Sequence, residues 1–247
     1  MHHSARISPL PILLLIAVWS ASSGALAAPV TYFGHDDPRG TMVNASQARD
    51  AFQAALSSFG VETFESYAAF SVDPKLNFGA TGITGTSDAS FIVSSATYAA
   101  GGTKSLLDAG PTTQGGTPFN DYFLLSQPVT AFGLFIANVG DAFENSISLL
   151  LENTLIGPTA TRTVMVATLG PGTAQNNILF VGVTDTDSFN KVSVLESTDY
   201  DGTMYDNITV GFVVPEPSSL VLATLGASCA GWIVTRRRVR NSANLAS

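Results

Sequence analysis

The apolar residues of this 247-residue chain form two long runs near its ends and many short runs between them. The first long run covers Ile12–Ala21 and the second Leu220–Val234, and neither contains a charged side chain. Between them, Gly, Pro, Asn, Asp and Ser repeatedly interrupt the apolar residues. This pattern predicts a folded body between two segments that direct the chain to a membrane.

The first element of the body is predicted to be a helix over Ala45–Ser58. Asn44 can cap its N-terminus, and Gly60 can end it. Apolar residues repeat at helical spacing along it. They are Ala48, Phe52, Ala55 and Phe59.

After this helix the pattern changes to short β-type runs bounded by turn residues. Many short strands after one helix predict a single all-β domain over residues 28–213. Its expected form is an antiparallel β-sandwich of jelly-roll type. The predicted strands are Val61–Phe64, Ser90–Ser95, Tyr122–Leu125, Ala131–Ala137, Ile147–Leu151, Thr163–Leu169, Ile178–Val183, Lys191–Leu195 and Ile208–Val213.

The N-terminal end has the layout of a secretory signal peptide. Arg6 precedes the apolar run, and the small-residue sequence Ala25-Leu26-Ala27 follows it. The run is about half of the roughly 20 residues that a membrane-spanning helix needs. We therefore expect residues 1–27 to be a signal peptide that the secretory translocon accepts and signal peptidase removes between Ala27 and Ala28.

The C-terminal end predicts a single membrane-spanning helix over residues 217–235. At 1.5 Å per residue its length is about 28 Å, just enough for a hydrocarbon core of about 30 Å. An arginine cluster follows, and the positive-inside rule places it on the cytoplasmic side. The body is then outside the membrane. The stop-transfer residues are Arg236, Arg237, Arg238 and Arg240.

A stiff tripeptide, Pro215-Glu216-Pro217, stands directly before this helix. The tripeptide, the helix and the arginine cluster, over residues 214–241, together resemble the PEP-CTERM sorting signal of bacterial exported proteins. The resemblance implies that exosortase, a membrane protease-transpeptidase, recognises Pro215, Glu216 and Pro217 and processes the chain nearby. It also implies a polysaccharide-producing bacterium and a final place at the cell surface or in the extracellular matrix. An ordinary one-pass anchor is the alternative.

The charge of the body limits its partners. Residues 28–214 contain six basic and eighteen acidic side chains, a formal net charge of −12. Such a surface repels nucleic acid and anionic lipid and attracts divalent cations. The only cysteine, Cys229, lies in the C-terminal apolar run, so the body is expected to fold without an internal disulfide.

Calcium is the one cofactor that the sequence suggests. In the stretch "DYDGTMYDN", Asp199, Asp201 and Asp206 supply oxygen ligands of the kind that calcium prefers. A second stretch, "DTDSFNK", offers Asp185 and Asp187. In the alternative interpretation, Asp and Gly in these stretches only build β-turns.

The body shows no recognisable catalytic centre. His35, its only histidine, lies close to the expected new N-terminus, and the sequence has no His or Cys cluster for zinc. We therefore expect a non-enzymatic protein. A glycosidase with two carboxylates stays an alternative. Its candidate glutamates are Glu62, Glu65, Glu144, Glu152 and Glu196.

Calcium-assisted carbohydrate binding is the other alternative function. The sequence "TFESY" and the passage "YDNITVGFVVPEP" resemble the bodies of PEP-CTERM proteins that look like carbohydrate-binding sandwiches. The body has no tryptophan, because Trp19 and Trp232 lie in the two end segments. Tyrosines would have to supply the aromatic face for a sugar. They are Tyr32, Tyr67, Tyr98, Tyr122, Tyr200 and Tyr205.

Overall fold

The computed structural model describes residues 28–37, 40–88, 91–95, 99–108, 120–139, 145–155, 161–169, 177–196 and 203–214. These ranges contain one α-helix, α1 (Val43–Ala54), and a short 3-10 helix at Gly79–Thr81. All strand pairs within them are antiparallel. The prediction of a mainly antiparallel β-body with one early helix is thus confirmed. The strands are β1 (Val30–Asp36), β2 (Leu56–Glu62), β3 (Leu76–Asn77), β4 (Thr84–Ser87), β5 (Phe91–Ser94), β6 (Ser105–Asp108), β7 (Asn120–Ala137), β8 (Asn145–Glu152), β9 (Thr161–Leu169), β10 (Ile178–Glu196) and β11 (Met204–Val213).

Two long strands, β7 and β10, connect the two halves of the sheet. Residues 131–137 of β7 pair with residues 178–184 of β10, and residues 120–124 pair with residues 191–195. In the first half, called sheet A, the pair is flanked by β1 and β11, and β11 also pairs with β2 and β6. In the second half, called sheet B, it is flanked by β8 and β4, with β9 and β3 beyond them.

The prediction that each of these long strands is two separate strands is wrong. The intervening sequences "SQPVT" and "DTDSF" have turn composition, but the strands continue through them with shifts of register between Thr184 and Lys191. A β-bulge changes the direction of a strand without ending it. Pro128 is tolerated at such an irregular place, where the ladder does not require its missing N–H.

The inner side chains of the two sheets share one core. Phe123 of sheet B lies 5.7 Å from Phe132 of sheet A between ring centroids. Phe91 stacks on Phe123 at 5.6 Å, and Tyr205 meets both rings edge-on at 5.6 and 5.9 Å. Because residues of both sheets belong to one buried cluster, the arrangement is consistent with the predicted β-sandwich.

Helix α1 covers the other face of sheet A. Its Phe52 is fully buried and lies over Gly133 and Gly182, which face each other in β7 and β10. A Cβ atom on these glycines would come within 3.0 and 3.1 Å of the Phe52 ring. Tyr32 and Phe180 contact the same ring, with centroids 5.4 and 5.6 Å away. Because Gly133 and Gly182 have no side chains, the Phe52 ring of α1 can pack directly on sheet A.

The bounds predicted for this helix are wrong at both ends. Asn44 lies inside α1, and its backbone N–H donates to Asp36 Oδ1 at 3.1 Å. The N–H of Ala45 donates to Asp36 Oδ2 at 2.8 Å, so a carboxylate of β1 caps the helix. The helix stops at Ala54 because the following residues pair with β11, where Phe59 lies opposite Gly211.

Within the described ranges, no helix is long and apolar enough to cross a membrane. The predicted signal peptide, residues 1–27, and the predicted membrane helix, residues 217–235, both lie outside those ranges.

Candidate functional site

The folded body holds the chain up to the residue before the proline-flanked motif. The N–H of Val213 donates to Thr130 Oγ1 at 2.9 Å, and the N–H of Val214 donates to the Ala55 carbonyl at 3.1 Å. Ser57 Oγ donates to the Val213 carbonyl at 3.3 Å. We call this group of contacts the exit clamp. These hydrogen bonds hold the chain up to Val214, the residue directly before Pro215.

Most residues of the predicted sorting signals lie outside the described part of the chain. Ala28, the predicted first residue of the mature body, is described and stands two residues before β1. The predicted residues outside the described ranges are Ala27, Pro215, Glu216, Pro217, Arg236, Arg237, Arg238 and Arg240.

The "TFESY" stretch follows β2 and connects several parts of the body. Glu62, just before it, is buried. Its carboxylate accepts hydrogen bonds from the backbone N–H of Phe64 and of Asn77, both at 2.8 Å. The Tyr67 hydroxyl donates to the same carboxylate at 3.2 Å, and burial raises the pKa of Tyr67 to about 12. These contacts hold β3 against the end of β2.

Glu65, in the middle of the same stretch, fixes the segment before β6. Its Oε1 accepts the backbone N–H groups of Thr103 and Lys104, both at 2.7 Å. The hydrogen bond from the Thr103 N–H contributes most to lowering the pKa of Glu65, and the bond from Lys104 adds to the effect. Lys104 Nζ donates in return to the carbonyls of Glu65 and Tyr67 at 2.8 and 2.6 Å. Two glutamates offered by the glycosidase alternative thus make structural contacts.

Asp206, one of the predicted calcium ligands, holds the other side of that segment. Its Oδ2 accepts the N–H groups of Ala100 and Gly101 at 2.6 and 3.0 Å, and its Oδ1 accepts the Asn207 N–H at 2.6 Å. Burial raises the pKa of Asp206 to about 7 despite these bonds. Asp199 and Asp201, the other two predicted ligands, lie outside the described residues. The calcium prediction therefore stays a prediction.

The second acidic stretch forms an ion pair. Arg162 Nη1 lies 2.8 Å from Asp185 Oδ2 and 2.9 Å from Asp185 Oδ1. Its Nη2 lies 3.3 Å from Asp187 Oδ2. Asp185 is buried, so the guanidinium supplies the positive charge that this carboxylate needs in the core. Within the described ranges, no group of three or more His, Cys, Asp or Glu side chains is arranged to hold a metal.

Two further carboxylates meet at the end of the core. The Tyr205 hydroxyl lies 2.6 Å from Asp121 Oδ2 and 3.3 Å from Glu196 Oε1. Thr203 Oγ1 donates to the same hydroxyl at 3.3 Å. All four side chains are buried. Burial, reinforced by the two carboxylates, raises the pKa of Tyr205 well above its ordinary value, so its hydroxyl keeps its proton as the shared donor.

The outward face of sheet B presents a different combination of side chains. Tyr122 of β7 and Ser193 of β10 are direct neighbours across the strands, and Leu150 of β8 continues the row. Lys191 Nζ lies 5.3 Å from the Tyr122 ring centroid and 2.7 Å from Glu152 Oε2. An aromatic ring with a cation and an anion beside it can bind a ligand that has both an apolar face and hydroxyl groups. We call these residues the Tyr122 platform.

The other described tyrosines are used inside the body. Tyr32 packs on Phe52, Tyr67 also donates to the Lys75 carbonyl, and Tyr205 is fully buried. His35 belongs to β1, where it pairs with Leu179, so it is held in the sheet although it stands near the expected N-terminus. Tyr98 and Tyr200 lie outside the described ranges.

Solved structures match this chain at low similarity. The K2 cleaved adhesin domain of Lys-gingipain is 17% identical, with a TM-score of 0.38 over 62% of this chain and 99% of that domain. A mutant of the CBM29-2 family 29 carbohydrate binding module is 13% identical, with a TM-score of 0.36 over 63% and 94%. The family 11 carbohydrate-binding module of a Clostridium thermocellum cellulosomal cellulase is 12% identical, with a TM-score of 0.31 over 65% and 100%.

No curated protein matches the chain in sequence. The family model of the PEP-CTERM protein-sorting motif, in contrast, matches residues 213–238. This match begins at the last residue of β11, inside the exit clamp. The predicted sorting signal is confirmed: the chain carries the PEP-CTERM motif of an exosortase substrate.

Proposed function

We propose that this protein is an exported, non-enzymatic component of the cell surface or extracellular matrix in a polysaccharide-producing bacterium. The translocon and signal peptidase deliver the body, and the C-terminal helix holds it in the membrane until exosortase processes it. The match to the sorting motif at residues 213–238 carries this proposal. A jelly-roll type sandwich is the passenger, and its exit clamp ends directly before the recognised tripeptide.

Each part of the terminal segment has its own role in this process. Pro215 and Pro217 restrict the backbone around Glu216, so the enzyme meets a preformed extended segment. The arginines after the helix stop transfer through the membrane. Because the clamp fixes Val214, the motif is presented at a constant distance from the body. Processing then separates the body from its anchor without unfolding it.

Exchange of the motif glutamate tests this proposal. The full-length protein and its Glu216→Ala variant are produced in cells with and without exosortase, and the body is analysed by intact mass. Asp50→Asn, which removes an exposed acid on α1, is the matched control. Wild type and control are expected to lose their C-terminus only when exosortase is present, and Glu216→Ala to keep it. Equal processing of all three proteins would contradict the proposal.

Tryptophan fluorescence gives an independent measurement of the same event. Both tryptophans, Trp19 and Trp232, lie in the segments that processing removes. The mature body is therefore expected to lack emission when excited at about 295 nm, where tyrosine absorbs little. Tryptophan emission from a released body would show that one end segment is retained.

The non-enzymatic character is supported by the use of the described glutamates. Glu62 and Glu65 accept backbone N–H groups, Glu152 pairs with Lys191, and Glu196 contacts Tyr205 inside the core. A glycosidase needs two carboxyl groups that a substrate can reach from opposite sides of its bond. Replacing these four glutamates and Glu144, the fifth candidate, one at a time without loss of any hydrolysis that the protein shows would remove that alternative.

Carbohydrate binding is the second candidate function, and the Tyr122 platform favours it. A sugar ring has an apolar face that can lie on an aromatic ring, and its hydroxyl groups can use Lys191 and Glu152. These two charges cancel, while the body as a whole has a net charge of −12. We therefore propose a neutral polysaccharide as the ligand, because an acidic one would be repelled. Calcium bound by Asp199, Asp201 and Asp206 is proposed as the accompanying cofactor.

Retention on immobilised polysaccharide tests the second candidate. Neutral dextran, laminarin and xylan are compared with acidic alginate, with and without calcium. Tyr122→Ala is expected to weaken retention on a neutral polysaccharide about tenfold, which corresponds to about 1.4 kcal/mol. Tyr122→Phe, which keeps the ring, is the matched control and should stay close to wild type. Equal retention of the Ala and Phe variants would remove the platform from the proposal.

A further inference from the structure

The folded body begins and finishes at the same end of sheet A. The row of strand ends there forms one edge of the sheet. The strand pairings place Val30, Thr184, Ala131, Gly211 and Phe59 in one row across five neighbouring strands. Strand β1 begins in this row, and β11 ends just beyond it. Three strand spacings separate β1 from β11, which is about 14 Å at about 4.8 Å each. The chain therefore enters and leaves the body on one side.

This edge combines exposed apolar side chains with few charges. Three of the exposed apolar side chains of the body lie on it: Val30, Phe59 and Val214 are 52%, 40% and 50% exposed. The segments that β1, β2, β7 and β11 contribute to the edge contain no charged residue, and their exposed polar side chains are Thr31, Ser57, Ser58 and Gln127. These segments are residues 28–31, 56–59, 127–131 and 211–214.

The two acidic residues of β10 that follow this row share one arginine. Asp185 follows Thr184 of the row, but it is buried against Arg162. Asp187 lies 3.3 Å from the same guanidinium. With Arg162 they leave one net negative charge at the edge, and the other sixteen acidic residues of the body lie outside the segments that form it. A surface of this kind can approach a membrane without the repulsion that the rest of the body would produce.

The length of the chain beyond the clamp limits how far this edge can be from a membrane. Five residues separate Val214 from Leu220, where the apolar run begins. Fully extended, they span at most about 3.6 Å each, or roughly 20 Å in total. The exit clamp adds no free length, because Val213 and Val214 are hydrogen-bonded to the body. An interfacial layer about 5–8 Å thick covers the hydrocarbon core and takes part of that distance.

We propose that this edge, which we call the membrane edge, rests on the outer surface of the lipid bilayer while the precursor is anchored. The inference rests on the proposed function, because it requires the C-terminal helix to be in the membrane. Val30, Phe59 and Val214 contact the interfacial layer, and the acidic remainder of the body faces away from it. The body is then held in one orientation beside the processing enzyme, with its mature N-terminus on the same side as the motif.

Labels at the two ends of β2 test this orientation. The full-length chain carries Cys229→Ser, so that Ser58→Cys on the membrane edge or Ser66→Cys beyond the far end of β2 provides the only thiol. Both serines are exposed. The thiol receives a fluorescent nitrobenzoxadiazole label, and the protein is reconstituted in phosphatidylcholine vesicles that contain head-group nitroxide lipids. Quenching is expected to be at least twofold stronger at position 58 than at position 66.

Equal quenching at the two positions would overturn the inference, and a second copy or another protein would then cover the edge.

Flotation of the same vesicles distinguishes this failure from a failure of the proposed function. Protein that does not float with the lipid has no membrane anchor, and the proposal of an anchored precursor is then wrong. Adding Phe59→Asp gives a second measurement. It is expected to lower the quenching at position 58 while the protein still floats, and unchanged quenching would count against contact by the edge.

Discussion

Sheets A and B share two strands and one core, but a helix covers the outward face of one and not the Tyr122 platform of the other. Sheet A is covered by α1, and its last strand is held by the exit clamp. Sheet B leaves Tyr122 and the Lys191–Glu152 ion pair on its outward face. In the functions proposed above, one half of the body holds the sorting signal in place and the other half binds a ligand. Four predictions test this division.

The largest effect is expected where α1 meets sheet A. Phe52→Ala removes the ring that fills the space above Gly133 and Gly182, and the cavity should lower the free energy of unfolding by about 3–5 kcal/mol. Urea denaturation measures the loss. Phe70→Ala is the matched control, because Phe70 is 77% exposed and should change stability by less than about 0.5 kcal/mol. Similar losses in both variants would mean that the helix does not stabilise sheet A.

The next effect concerns Asp206 at the far end of sheet A. Asp206→Asn leaves one amide oxygen where two carboxylate oxygens accept three N–H groups. The free energy of unfolding should therefore decrease by about 1–3 kcal/mol. Burial raises the pKa of Asp206 to about 7 in the folded body, well above the ordinary value of an aspartate. Its contribution to stability is therefore fully present below the unfolded pKa and is lost as pH rises through about 7.

The destabilisation by Asp206→Asn should consequently be larger at pH 5 than at pH 8. Urea denaturation of both proteins across this range measures the difference. Glu65 has a lowered pKa, so its own contribution is lost only as pH falls below its ordinary range, outside the interval compared. A destabilisation that is constant or that increases with pH would contradict the raised pKa of Asp206.

A smaller and local effect is expected at the exit clamp. Thr130→Val keeps the side-chain shape but removes the acceptor of the Val213 N–H, and it should cost about 1 kcal/mol. Hydrogen exchange should accelerate at residues 213–214 while exchange in the rest of β11 is unchanged. Thr163→Val, at an exposed position of β9, is the matched control. If both variants leave the Val213 amide equally protected, the clamp does not fix the chain end.

The smallest effect on stability is expected at the Tyr122 platform. Lys191→Met removes a half-buried ion pair and should change the free energy of unfolding by about 1 kcal/mol or less. Retention on a neutral polysaccharide should nevertheless decrease. A variant that loses several kcal/mol of stability would show that this face of sheet B is structural, and the contrast between the sheets would then fail.

The sorting signal could be read from the sequence because it does not depend on the folded body. A proline-flanked acid, an apolar run and an arginine cluster are linear features, and the family model finds them at residues 213–238. Most strands of the core were also predicted, since alternating apolar residues have few other ways to be buried. Strand β1 was missed, because its sequence, "VTYFGHD", contains a glycine and ends in polar residues.

The contacts that connect the body were not predictable in the same way. The cap of α1 comes from Asp36, eight residues before Asn44, although Asn44 itself has the better local signal. Glu65 binds Thr103 and Lys104 almost forty residues away, and Arg162 meets Asp185 across two strands. Composition identifies such residues as polar and available, but it does not identify their partners.

The sequence by itself determined the sorting signal of this protein and its β-rich character, because hydrophobic runs and periodic patterns act locally along the chain. Only the tertiary structure decided that β7 and β10 pass through both sheets, and that the start of β1 and the end of β11 lie on the same edge of sheet A, three strand spacings apart. Strand pairing joins residues that are distant in sequence, so the register across the sheet sets which side chains share a surface.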